Sequence, residues 1–216
     1  GDLLSQGTRI AAKSIGQSAA EFAPHIKGLE LPGYEPRALK TMALGLAVNT
    51  RGADHNRSGA YQVDLSEQGN RTSIGPEEVL AAIETENEAA VMDSLIMCKF
   101  LRGVFEDLYA GMAEMLSLVT GWNVTPEELQ RTAERIITAK KWFNIQQGWQ
   151  PEEDSLPHRF FTQPLPDGAS QGEMLDRKQF QLLIHEYNKQ RGWTRDGWIP
   201  DSQLADLEIP THTSLS

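Results

Sequence analysis

Apolar positions recur at helical spacing along most of this chain. Leu3, Leu4, Ile10, Ala11, Ile15, Ala19 and Phe22 fall close to one helical stripe, which predicts a helix over 3–23. The polar corner "LPGYEPR" interrupts it. Pro36 then suits the first turn of a second helix running through "RALKTMALGLAVN". Residues 50–75 are polar and glycine-rich without a period, so they read as a long loop of the kind that carries function. Helical spacing resumes in "GPEEVLAAIETENEAAVMDSLIMCKFLRG", with Pro76 near its first position, and a further helix is predicted over 103–119.

The clearest start is "TPEELQRTAERIITAKKWF". Thr125 caps, Pro126 fits the first turn, Glu128 completes a capping box, and Leu129, Ala133, Ile136, Ile137 and Phe143 form the expected buried stripe. After the irregular stretch "LPHRFFTQPLPDGASQGE", Asp176 opens another helix, Gly192 stops it, and a short turn of helix follows Asp201. No strand pair or repeat is evident. The expectation is an all-α, irregular multi-helical fold with long loops and a frayed end.

Composition adds bounds. The 216 residues are 39% hydrophobic and 23% charged, an ordinary globular balance with ample material for a core. A net charge of −10 argues against nucleic acid as the main partner. No window approaches a membrane span, and Asp2, Arg9 and Lys13 do not fit a secretory signal. The single cysteine cannot form an internal disulfide, which fits a reducing compartment, the cytoplasm. A homo-oligomer stays open.

That cysteine, Cys98, has two readings. It is a small core residue, or it is one ligand of a metal site completed from elsewhere, since a four-iron cluster wants about four thiolates. Asp93 lies five residues before it. On one continuous helix the two would diverge by about 140° and would serve different objects. Arg51, His55 and Arg57 gather in "TRGADHNRSG", where Gly52 and Gly59 allow close backbone approach. The arginines suit phosphate or carboxylate groups, and His55 suits proton transfer; the plain alternative is a solvated basic loop. "HIKGLELPGYEPRALK" reads as a fixed structural corner. The tryptophans 122, 142, 149, 193 and 198 read as packing residues, and His25, His158, His185 and His212 show no metal-ligand spacing.

Together, "HIKGLELPGYEPRALKTMALGLAVNTRGADHNRSG", "DSLIMC" and the segment from "LPHRFF" to "RDGWI" resemble the tungsten-dependent aldehyde:ferredoxin oxidoreductase family, over about residues 1–207. The resemblance implies residues 1–49 as the end of helical domain 2, 50–207 as domain 3 and 208–216 as a flexible tail. It implies a tungsten- or molybdenum-bearing bis-pyranopterin and a [4Fe-4S] cluster in the full-length protein. Asp93 and Arg57 would contact the cofactor, Met97 would lie against the pterin, Cys98 would be the fourth cluster ligand, and His55 would stand near metal and substrate. The reaction implied is oxidation of a small aldehyde to a carboxylic acid, with ferredoxin as acceptor.

The chain departs from the family pattern at one point: Ile96 and Met97 stand where D-x-x-G-L-C has glycine and leucine. It also lacks the other cluster cysteines and the N-terminal pterin-binding domain, which would be a partner domain or subunit. A start without methionine, inside a helical pattern, favours an excised piece. Alone, it is expected to hold no cofactor and to be inactive. The rivals are an acyl-CoA or aromatic reductase on the same scaffold and a non-catalytic helical assembly domain.

Overall fold

The structure, a computed structural model, describes residues 1–16, 18–67, 71 and 73–211. The end of the chain from 212 to 216, His212 included, lies outside the described residues. The fold is mostly helical, and the described residues contain only one two-stranded sheet. None of the helices is long and apolar enough to cross a membrane.

The helix expected over 3–23 is broken into α1 (Asp2–Ser5), α2 (Thr8–Ile15) and a 3-10 turn (Ala19–Phe22). Gly7 and Gly16 sit at the breaks with φ of 88° and 129°. The corner holds a hairpin that periodicity could not show: β1 (His25–Ile26) pairs antiparallel with β2 (Leu29–Glu30). Lys27 and Gly28 both have positive φ, as a two-residue type I′ turn requires. Two-residue strands are too short to display an alternation.

Helix α3 (Lys40–Val48) is buried from Thr41 through Val48 and forms the centre of the main core. Its first amides are capped from afar: Asp64 accepts from Thr41 N at 3.1 Å and Met42 N at 2.8 Å. Burial raises the Asp64 carboxyl above its ordinary range, partly opposed by those bonds. The expected loop 50–75 contains two short helices, α4 (His55–Ser58) and α5 (Tyr61–Leu65). They lie tightly on α3: a Cβ at Gly45 would stand 2.1 Å from Ser58 Oγ.

Helix α6 (Pro76–Ser94) ends well short of the expected 103. Its end is a Schellman motif, with Met97 N donating to Met92 O at 2.8 Å and Ile96 N to Asp93 O at 3.2 Å. The left-handed position of that motif is Ile96, at φ 59°. Glycine usually occupies it, so the stop signal is hidden in this sequence.

Helix α7 (Leu108–Thr120) follows, and then α8 (Pro126–Gln146), with the Thr125–Glu128 capping box in place. Helices α9 (Arg177–Gln190), capped by Asp176, and α10 (Asp201–Asp206) complete the order. The main core joins α3, the first half of α6, α9 and α10. A second cluster joins the end of α6 to α7 and the start of α8. Trp149 and Trp193 are buried as expected, whereas Trp122 is 66% exposed and Phe143, assigned to a buried stripe, is 63% exposed. Phe143 faces away from the main core, which Ile137, Trp142 and Ile145 of the same helix join.

Candidate functional site

The chain leaves α3 at Asn49, whose side chain accepts from Arg51 N at 2.8 Å. Gly52, at φ 96°, brings the loop against the hairpin; a Cβ there would lie 2.2 Å from Ile26 O. Asp54 then caps α4, accepting from Asn56 N and Arg57 N at 3.1 Å each. The same carboxylate holds Arg51 at 2.8 Å and Arg57 at 3.4 Å. One aspartate thus orders both arginines and sets His55 at the first position of the helix.

The His55 ring packs against two tyrosines, with centroids 5.3 Å from Tyr34 and 5.8 Å from Tyr61; those tyrosines stack on each other at 5.7 Å, so the three rings form a triangle. Tyr34 comes from the corner that the sequence presents as purely structural. Tyr61 accepts a bond from Arg102 Nη1 at 2.8 Å, and Arg102 Nη2 donates to Asn56 O at 2.6 Å. A single guanidinium therefore joins the segment after Cys98 to the two short helices around His55.

Asp93, in the last turn of α6, closes a second bridge. One oxygen faces Arg57 at 3.9 Å, and the other takes Lys99 at 2.9 Å. Burial lowers the Lys99 ammonium from its ordinary value, against the pull of Asp93. Beyond the Schellman turn, Met97 is half-buried against the second cluster, and Cys98 is exposed at the start of a short 3-10 turn (Lys99–Leu101). Cys98 is therefore no core thiol. It does not share a continuous helix with Asp93, so the 140° divergence does not apply. Around it, Ile96 is 93% and Phe100 96% exposed, an apolar rim open to a covering surface.

A cavity of about 510 Å³ opens between the 50–57 loop and α8, with Arg51, Arg57, Lys140 and Phe143 on its walls. Burial, then the Arg57 cation, lowers the Lys140 ammonium. In a chain of net charge −10, this concentration of cations beside Asp93 suits a bound anion.

The arrangement brings Arg57 and Asp93 together and places His55, Met97 and Cys98 on the flanking segments. Five further site residues escape sequence reasoning: Tyr34 and Lys140 reach the site through tertiary contact, and Tyr61, Lys99 and Arg102 lie close to His55 or Cys98 in the chain without a motif to mark them. Among the described residues, no group of three or more His, Cys, Asp or Glu side chains could hold a metal ion. His158 and His185 are engaged by Arg177 and Arg195. One exposed thiol fits one corner of an iron–sulfur cluster and no more.

A protein-family model described as aldehyde ferredoxin oxidoreductase, domains 2 & 3, matches residues 1–209. The tungsten-containing aldehyde ferredoxin oxidoreductase of Pyrococcus furiosus is 33% identical over 216 residues, covering 97% of this chain and 34% of the relative. That of Pyrococcus horikoshii is 34% identical over 217 residues, with the same coverage. A Pyrococcus furiosus aliphatic sulfonate oxidoreductase, WOR-like subunit, is 26% identical and is covered over 32% of its length. The chain spans about a third of the length of the curated relatives it matches. Among solved structures, the active site complex BamBC of benzoyl coenzyme A reductase with 1,5 dienoyl-CoA has the same fold. Its TM-score is 0.64 at 18% identity, over 97% of this chain and 36% of that one.

Proposed function

This chain belongs to the aldehyde ferredoxin oxidoreductase family, and on that premise we propose that it forms one wall of a tungsten- or molybdenum-pterin and [4Fe-4S] site that oxidises aldehydes to carboxylic acids. Residues 1–49 would close domain 2 and 50–207 would form domain 3. An N-terminal pterin-binding domain or subunit would supply the other wall, covering the exposed Ile96 and Phe100. The observation that carries the reading is the Arg57–Asp93–Lys99 bridge, which ties the histidine loop to the cysteine segment.

When bound, the metal–pterin centre would supply two-electron oxidation and the cluster one-electron transfer, with ferredoxin as the acceptor. The chain's own residues then have separate tasks. Cys98 offers a thiolate at an exposed turn. Each oxygen of Asp93 keeps acceptor capacity beyond its cation, so the carboxylate can take an N–H of the pterin while Lys99 and Arg57 hold it in place. Arg57, with Arg51 and Lys140 beside it, would face the negative charge of the cofactor. Met97 would lie against the pterin. His55, its ring fixed by Tyr34 and Tyr61, donates to the substrate oxygen and carries a proton. Cytoplasmic residence is consistent with an exposed free thiol.

The fold shared with the benzoyl coenzyme A reductase complex supports a second reading, reduction of an aromatic or acyl-CoA substrate on the same scaffold. Assays with aldehydes and with acyl-CoA thioesters separate the two. The cluster assignment is tested by Cys98→Ala in the full-length parent. The expected result is loss of the iron–sulfur spectrum with tungsten or molybdenum retained by elemental analysis; an undiminished spectrum refutes it.

A further inference from the structure

A second cavity, of about 890 Å³, opens beside Gly75 and Pro76, at the end of α6 remote from Asp93. At a helical rise of about 1.5 Å per residue, the two positions stand roughly 25 Å apart. The volume lies in the range that holds small organic ligands. Its walls are apolar: Ile74, Leu182, Leu183 and Trp193 all line it. Leu182 is 61% exposed, although it stands on a helix that buries Phe180 and Ile184. The indole Nε1 of Trp193 is buried and has no hydrogen-bond partner among the described residues.

The polar lining is predominantly basic. Lys40, Lys189 and Arg195 surround the cavity, and among the described residues Glu186 is the only carboxylate lining it. Lys40 is held by Glu173 at 3.0 Å, outside the lining. Lys189 is 76% exposed and only loosely paired with Glu186, at 3.4 Å. Arg195 Nε donates to His185 Nδ1 at 3.1 Å. Burial, then the Arg195 cation, lowers the His185 ring from its ordinary value, which favours the neutral ring that accepts this bond. An apolar pit with a cationic rim, in a chain of net charge −10, matches a ligand whose body is apolar and whose head is negative.

We propose that this cavity binds an amphipathic organic anion, a carboxylate on an aliphatic or aryl body. The body lies against Leu182, Leu183 and Trp193, and the head meets Lys189 and Arg195. The proposal is independent of the redox reading.

Isothermal titration calorimetry tests it, with decanoate and the uncharged 1-decanol as probes, on this chain and on the full-length parent. Saturable one-to-one binding of decanoate is expected in both proteins. Affinity should fall at least tenfold for 1-decanol, for Leu182→Glu, and for Lys189→Glu combined with Arg195→Glu. All three positions are exposed, so the fold survives, and circular-dichroism melting checks this. Equal affinity for the alcohol, undiminished binding in both variants, or no saturable heat in either protein overturns the proposal. So does binding by the chain that the full-length parent lacks.

Discussion

The ammonium of Lys27 lies 2.7 Å from the Asp154 carboxylate and also donates to Ala47 O at 2.6 Å and Asn49 O at 2.9 Å. It clamps the hairpin to the last turn of α3, from which the His55 loop departs. Lys27→Met would leave two carbonyls without a charged donor, while Asp154 would keep Lys141 at 2.8 Å. The expected loss is about 2–3 kcal/mol, from the usual worth of charge-assisted bonds. Urea denaturation measures it, and a loss below about 1 kcal/mol contradicts the clamp.

Lys141 is buried with its Nζ 3.1 Å from the Trp149 ring centroid, and burial brings its ammonium down to about 8 despite Asp154. Because the folded value is depressed, the unfolded chain holds more protons between pH 8 and 10.5, and stability from this group rises with pH there. Below pH 8 the full penalty for the buried charge is present. Relative to Lys141→Met, the native chain should gain on the order of 2 kcal/mol between pH 7 and pH 10. Parallel melts of the two proteins through that range give the comparison; curves that stay parallel reject it.

Ile96 holds a left-handed conformation at a β-branched residue, which costs roughly 1–2 kcal/mol. Ile96→Gly relieves that strain but adds freedom to the unfolded chain. A net gain of about 1 kcal/mol is expected, seen as a higher denaturant midpoint at unchanged slope. A lowered midpoint would show that the side chain contributes more than its conformation costs.

Gly45→Ala should act in the opposite sense. The added carbon would meet Ser58 Oγ at 2.1 Å and Ala60 Cβ at 2.8 Å, so α4 and α5 must move off α3. Overpacking of this kind costs about 1–3 kcal/mol. Pairing the change with Ser58→Gly should recover part of the loss, the Ala60 contact remaining, and additivity of the two would disprove the Ser58 contact.

Arg102→Ala removes the guanidinium that joins the 98–104 segment to Tyr61 and Asn56. Amide exchange over residues 55–61 should accelerate at least tenfold while global melting shifts little, because the arginine acts at the surface of the fold. Unchanged exchange would mean that α4 and α5 are held by α3 and α6 without it.

Elements announced by their ends were legible in the sequence. Pro76, the Thr125–Glu128 box and Asp176 each mark a helix start that the structure contains. Elements decided at a distance were not. Helix α3 is capped by Asp64 from beyond the next loop, α4 is too short to show a period, and α6 stops where isoleucine replaces the usual glycine. The same division holds at the site. The resemblance marked the loop of His55 and Arg57 and the segment of Asp93 and Cys98, and the structure brings Arg57 to Asp93. Tyr34 comes from the corner before α3, and Tyr61, Lys99 and Arg102, although near His55 and Cys98 in the chain, have roles that only the folded contacts show.

The Schellman turn at Ile96 places Asp93 and Cys98 on unlike supports. The aspartate rides on the last turn of a long helix, and the sulfur sits just past a turn that the Met97 N and Ile96 N bonds and the Asp93–Lys99 pair pin back to that helix. The distance along the chain between them is therefore fixed from both sides: a residue inserted in the helix would swing the carboxylate about 100° away from Arg57, and one inserted in the turn would break those bonds and carry the sulfur out of place.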